Sequence, residues 1–108
     1  MIVCVPVEPD GQVDPRWGRA RRVAVADVRG GAVVDWREHD VGWDAAHESG
    51  TEGAHHARVA RFLKDNGVQT VVAHHMGDGM SRMLLTMGLE VRLGASGDAR
   101  TAAVTAAG

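Results

Sequence analysis

Short apolar runs, two stretches of helical periodicity and several glycine-centred breaks divide the chain into alternating elements. Residues 1–7 are apolar and end at Glu8-Pro9-Asp10-Gly11, which predicts a buried strand followed by a turn. The runs 23–28 and 32–36 flank Arg29-Gly30-Gly31 and predict a hairpin. Residues 39–53 carry Gly42, Gly50 and Gly53 among polar neighbours and read as a loop. Over 54–66 the period becomes helical, with Val59, Ala60 and Leu63 on one face and Asn66-Gly67 as the stop. Residues 68–73 predict a second buried strand. Met80, Met83, Leu84 and Met87 then fall at i, i+3, i+4 and i+7, a helix ended by Gly88. Residues 89–93 predict a third buried strand, and 98–107 an alanine-rich helix capped from Ser96-Gly97-Asp98.

The order β–β–β–α–β–α–β–α restricts the topology. Strand–helix–strand units pair in parallel through right-handed crossovers, while a two-residue turn between the second and third strands demands an antiparallel member. The expectation is a three-layer α/β domain with a mixed five-stranded sheet, occupying residues 1–108 without an internal linker or repeat.

Composition narrows the function classes. Twelve Lys and Arg against fourteen Asp and Glu leave a formal net charge of −2, which argues against nucleic-acid binding driven by overall charge. The single cysteine, Cys4, excludes an internal disulfide, a CxxC pair and an all-cysteine zinc or iron–sulfur site within one chain. No apolar run reaches the ~20 residues that span a bilayer, and no basic-then-apolar leader opens the chain, so a soluble cytoplasmic protein without a membrane partner is expected. A two-metal nuclease would need clustered carboxylates including one on the first strand, where residues 2–7 have none.

All six histidines lie between positions 39 and 75: His39, His47, His55, His56, His74 and His75. Carboxyl ends of parallel strands and amino ends of the helices that follow them meet at one edge of such a sheet. On that frame the six histidines and the loop holding Arg16 and Arg19 project to a common rim. A helix N-terminus disfavours imidazolium, and neutral imidazole suits zinc, copper, nickel or iron. Because neighbours on a strand face opposite ways, His74 and His75 do not readily share one ion. The expected set is His47, one of His55 and His56, and His75, with His39 or Asp44 as a fourth ligand. For any single pair, ordinary capping of loop carbonyls is the better explanation, and only the convergence of three segments on one edge favours metal or cluster binding. Arg16 and Arg19 would add an anion- or cluster-holding edge. Gly77-Asp78-Gly79 reads as a tight βα turn rather than a phosphate cradle, since the Walker lysine is missing. The methionine series reads as core, with Met76 alone outside the stripe, and Cys4 as a small buried apolar residue.

Pro6-Val7, Gly18-Arg19-Ala20, Gly67-Val68 with Val71-Val72, Gly77 and Gly94-Ala95-Ser96-Gly97 together resemble the nitrogenase iron–molybdenum cofactor biosynthesis family, the NifX/NafY-like domains. The likeness runs over essentially the whole chain. It implies a ribonuclease-H-like α/β/α fold with strand order 3-2-1-4-5. It also implies non-catalytic binding or carriage of iron–sulfur cofactor precursors. Where members often carry a histidine and an aromatic before Gly-Arg, this chain has Arg16 and Trp17. Histidines 47, 55, 56, 74 and 75 stand where many members have glycine-rich or small residues, as though the rim were rebuilt for a different metal load. The expected function is therefore a small carrier of a transition metal or metallocluster that meets a protein acceptor. The alternative is a regulatory module whose rim binds an anionic ligand or a protein without metal. The hairpin's exposed edge also offers a route to a homodimer.

Overall fold

The computed structural model describes residues 1–48 and 50–108, apart from the side chains of His47 and Glu48. The strands are β1 (Ile2–Pro6), β2 (Arg22–Arg29), β3 (Ala32–Asp40), β4 (Thr70–Val72) and β5 (Glu90–Arg92). The helices are α1 (Trp43–Glu48), α2 (Glu52–Asp65), α3 (Asp78–Thr86) and α4 (Ala99–Ala107), with a 3-10 turn at Trp17–Arg19. The sheet order is β3-β2-β1-β4-β5, as the resemblance implied. β1 runs antiparallel to β2 and parallel to β4, so the mixed sheet required by the hairpin is present. Gly30 and Gly31 both hold positive φ, +58° and +77°, which L side chains resist and the tight two-residue turn demands.

Strand alternation sorts the core into two layers. Cys4, Val23 and Val71 face one side and pack with Trp17, Trp43, Val59, Leu63, Met80 and Leu84 beneath α1, α2 and α3. Val3, Val5, Ala24, Ala26 and Val72 face the other side and pack under α4 through Ala99, Ala103 and Ala106. Cys4 is fully buried, and that burial pushes its thiol up beyond any useful ionisation.

Three local expectations are corrected. Residues 39–53 are not one loop: β3 continues to Asp40 and α1 occupies Trp43–Glu48. Gly42 and Gly50 bracket that helix rather than break it, and buried Trp43 anchors it between Trp17 and Phe62 at ring-centroid distances of 5.2 and 5.8 Å. Second, α2 starts at Glu52, two residues before the periodicity does, because the Thr51 hydroxyl accepts from Ala54 N at 3.1 Å. Third, the strand expected to be buried over 89–93 shortens to an edge strand whose Glu90 and Arg92 are exposed. The α4 cap matches the expectation, with the Asp98 carboxylate accepting from Thr101 N and Oγ1 at 2.9 and 2.8 Å.

Candidate functional site

A cleft of about 190 Å³ opens where β4 gives way to α3 and faces the start of α2. Its walls are Trp17 and Gly18 of the 3-10 turn, Glu52, His55 and His56 of α2, and the segment Met76-Gly77-Asp78-Gly79-Met80. Two of the glycines make close approaches. A Cβ added at Gly79 would sit 3.3 Å from His56 Cε1, and one at Gly18 would sit 3.7 Å from His55 Nε2. Met76 and Met80 are buried and line the cleft with thioether chains.

The N-terminus of α3 differs from those of α2 and α4. Helices begin with amides that have no intrahelical acceptor, and a side chain usually supplies one. Thr51 does so for α2 and Asp98 for α4, but the cap position of α3 is Gly77, which has no side chain to offer. That uncapped end opens directly on the cleft. The first-turn amides and the helix dipole favour an anion there, while Glu52 and Asp78 place carboxylates in the same walls.

The six histidines take different positions. His55 is 4% exposed, and its Nε2 lies 2.7 Å from the Gly18 carbonyl, which can only accept, so Nε2 carries the proton. Its Nδ1 then accepts from Arg58 Nη1 at 3.3 Å, and its ring meets Trp43 edge-on at 6.4 Å. Both ring nitrogens are engaged, which makes His55 a strut holding the 3-10 turn against α2. His56, one position on, lines the cleft with Nε2 3.7 Å from Glu52 Oε1. Burial thus separates a pair that spacing alone left equivalent.

The remaining rings lie elsewhere. His39 packs edge-on against Phe62 at 5.3 Å, seven residues along α2 from His55, and lines a different concavity with Asp27, Asp35 and Asn66. Its Nε2 is buried without a hydrogen-bond partner among the described residues. His74 is exposed and its Nδ1 donates to the Ala95 carbonyl at 3.2 Å, tying the end of β4 to the loop before α4. His75 is exposed, and its backbone forms a parallel bridge with Arg16. The side chain of His47 lies outside the described residues. Among the described residues, no group of three or more His, Cys, Asp or Glu is arranged to hold a metal ion. The physical reason is strand and helix geometry: α2 carries His55 inward and His56 sideways, while β3 delivers His39 to the far end of that helix.

The basic loop also divides. Arg16 is exposed, lies 3.6 Å from Asp14 and borders a neighbouring concavity with Arg21, Arg22 and Asp44. Arg19 is exposed in the 3-10 turn. Asp44 therefore sits with the arginines and not with the histidines of the cleft. The sequence reading missed Trp17 and Gly18 as cleft walls and discounted Gly77-Asp78-Gly79. The available signal was the helix start after a parallel strand without a capping side chain. Trp17 is 1% exposed, and its Nε1–H is buried with no acceptor among the described residues.

The family model described as dinitrogenase iron-molybdenum cofactor matches residues 1–107. A search of curated proteins found no match. Among solved structures, the apo form of the orange protein from Desulfovibrio gigas superposes with a TM-score of 0.75 at 23% identity, covering 96% of this chain and 83% of that one. An NMR structure of a NifB-type protein of the DUF35 family from Thermotoga gives 0.60 at 26% identity, covering 94% and 82%. No helix among the described residues is long and apolar enough to cross a membrane.

Proposed function

The chain belongs to the dinitrogenase iron-molybdenum cofactor family, and on that premise we propose that it is a non-catalytic carrier of an anionic metallocluster or its iron–sulfur precursor, held in the cleft between the 3-10 turn, α2 and α3. Residues 1–108 are taken as one NifX/NafY-like domain. The observation that carries the reading is the uncapped start of α3 opening on a cleft whose walls include Gly18, Gly77 and Gly79. Bare backbone lets a compact anion approach the helix amides closely. Trp17 adds a buried N–H without an acceptor to the same walls.

The cargo is a substrate to be held and handed on, and the residues fit that task in distinct ways. His56 is the ring proposed to touch it, as a nitrogen ligand to zinc, copper, nickel or iron or as a donor to a cluster sulfide. Met76 and Met80 give soft, apolar walls. His55 acts at one remove by fixing the Gly18 carbonyl. Exposed Arg19 and His75 adjoin the cleft walls Gly18 and Met76 in sequence and would draw an anionic cargo or meet an acceptor protein. Release to that acceptor is favoured by a shallow donor set: few strong ligands hold the cargo, so a better-equipped partner removes it.

The test is metal content and anion binding by tag-free protein prepared without oxygen. Elemental analysis is expected to find zinc, copper, nickel or iron. Titration with tetrathiomolybdate, a compact sulfide-bearing anion, is expected to saturate at one site that His56→Ala weakens about tenfold. A metal-free protein that ignores tetrathiomolybdate would overturn the reading.

A further inference from the structure

We propose that β3 pairs antiparallel with β3 of a second copy of this chain, giving a two-fold dimer with one continuous sheet centred on Trp36. The proposal is independent of the carrier reading, because no residue of β3 lines the cleft. β3 is a terminal strand of the sheet and, with nine residues, its longest. The other terminal strand, β5, has three. Long edges are usually guarded by proline, by lysine and other charges, by bulges or by shortness. The stretch Ala-Val-Val-Asp-Trp-Arg-Glu-His-Asp has neither proline nor lysine; its charges include Asp35 and Arg37 of opposite sign, which can complement a second copy, and Val34 stands 56% exposed on it. A bulge opposite Asp27 and Val28 leaves Val34 unpaired, but residues 35–40 match β2 in unbroken register.

Two-fold symmetry leaves few registers. A continuous antiparallel sheet needs its axis perpendicular to the sheet, so directly opposed residues share a face and the axis passes through one residue of the strand. An axis at Asp35, Arg37 or Glu38 sets a charge opposite its own copy. An axis at His39 sets Glu38 opposite Asp40. An axis at Trp36 does neither: Asp35 of each copy meets Arg37 of the other, twice, and the two indoles lie side by side. Trp36 is also the midpoint of 32–40, and the bulge at Val34 confines regular pairing in this register to its centre, residues 35–37.

The side chains are already held for it. Arg37 Nε lies 3.0 Å from Asp35 Oδ2 within one copy, so the dimer would close four alternating charges into a ring on the α2 face. On the α4 face, Trp36 Nε1 donates to Glu38 Oε2 at 3.0 Å, and Arg100 stacks over its ring at 4.6 Å. An indole fixed in advance loses little rotamer freedom on association.

Sedimentation of the full chain over a concentration series tests this. The expected result is a reversible dimer that Asp35→Arg and Arg37→Asp each weaken by about tenfold or more, since each reversal sets like charges opposite one another twice. An equimolar mixture of the two variants is expected to recover the dimer, because every opposed pair in that heterodimer is again unlike. A chain monomeric at every concentration overturns the proposal, as does a dimer indifferent to both reversals or a mixture that fails to recover. Hydrogen–deuterium exchange on the unaltered chain gives a check that no misfolded variant can confuse. The amide of Trp36, which alternates with those of Asp35 and Arg37 that face β2, slows as concentration rises if the edge is paired, and an unchanged rate overturns the pairing.

Discussion

The two faces of the sheet solve the same covering problem with different materials. Under α4 the layer is valine against alanine: Val3, Val5, Ala24 and Ala26 meet Ala99, Ala103 and Ala106. Small side chains let one short helix lie close to the sheet, and the concavity on this side, about 430 Å³, lies off the centre of that layer between α4 and the loop after β5. Under α1, α2 and α3 the layer holds Trp17, Trp43, His55, Met76 and Met80, which are large, irregular or polar. These residues are buried, and the cleft lies at the seam where the 3-10 turn, α2 and the start of α3 meet. One face is closed by small aliphatic side chains, and the other brings rings, thioethers and bare glycine backbone to the wall of the cleft.

The sharpest way to break this contrast is at Trp43, whose ring touches Trp17, His55 and Phe62. Trp43→Ala is expected to cost about 3–5 kcal/mol of unfolding free energy in denaturant titration, because the cavity it leaves cannot collapse around rigid rings. On the α4 face the opposite change is informative. Ala103→Val adds volume where none is free and is expected to cost about 1–3 kcal/mol by overpacking. A neutral result there would mean that the α4 layer is not closed.

The histidine pair sharpens the comparison within the face that carries the cleft. His55→Ala strands the Gly18 carbonyl and removes a buried ring, for an expected loss of about 1–3 kcal/mol in the same titration. His56→Ala is expected to stay within about 0.5 kcal/mol of the parent, since its ring lines open space, and to show its effect in ligand binding alone. Equal stability losses for the two would erase the distinction between strut and ligand.

The smallest expected effect is acid sensitivity at the start of α4. Bonds from Thr101 N and Oγ1 hold the Asp98 carboxyl below the ordinary aspartate range, and Arg29 beside Asp27 does the same there. A group whose folded-state value is lowered contributes stability above its unfolded value and loses it as pH falls through the folded one. Thermal melts are thus expected to drop as pH falls through and below the ordinary carboxylate range, and Asp98→Asn to flatten part of that fall.

Element type and order were readable in the chain because each rests on local rules. Period-two and period-3.6 patterning, Gly30-Gly31 at a turn that needs positive φ, and Asp98 before an alanine run all act within a few residues. The five strands and three of the four helices follow from such signals. α1 did not, since its stability comes from Trp43 reaching residues distant in sequence, and glycines on either side resemble breaks.

What the sequence determined by itself is the set of pieces: the elements, the mixed sheet that a two-residue turn compels, the inert buried thiol and the supply of imidazoles. Only tertiary structure decided which imidazole faces a cleft. His55 and His56 are adjacent in the chain, and one helical step of rotation buries the first against Gly18 while leaving the second at the wall. The placing of His39 against Phe62, far along α2 from that wall, was likewise settled by how helix lies on sheet. Periodicity specifies which face of an element is apolar, but the angle and height at which two such faces meet depend on the volumes packed between them, and those volumes come from the whole chain at once.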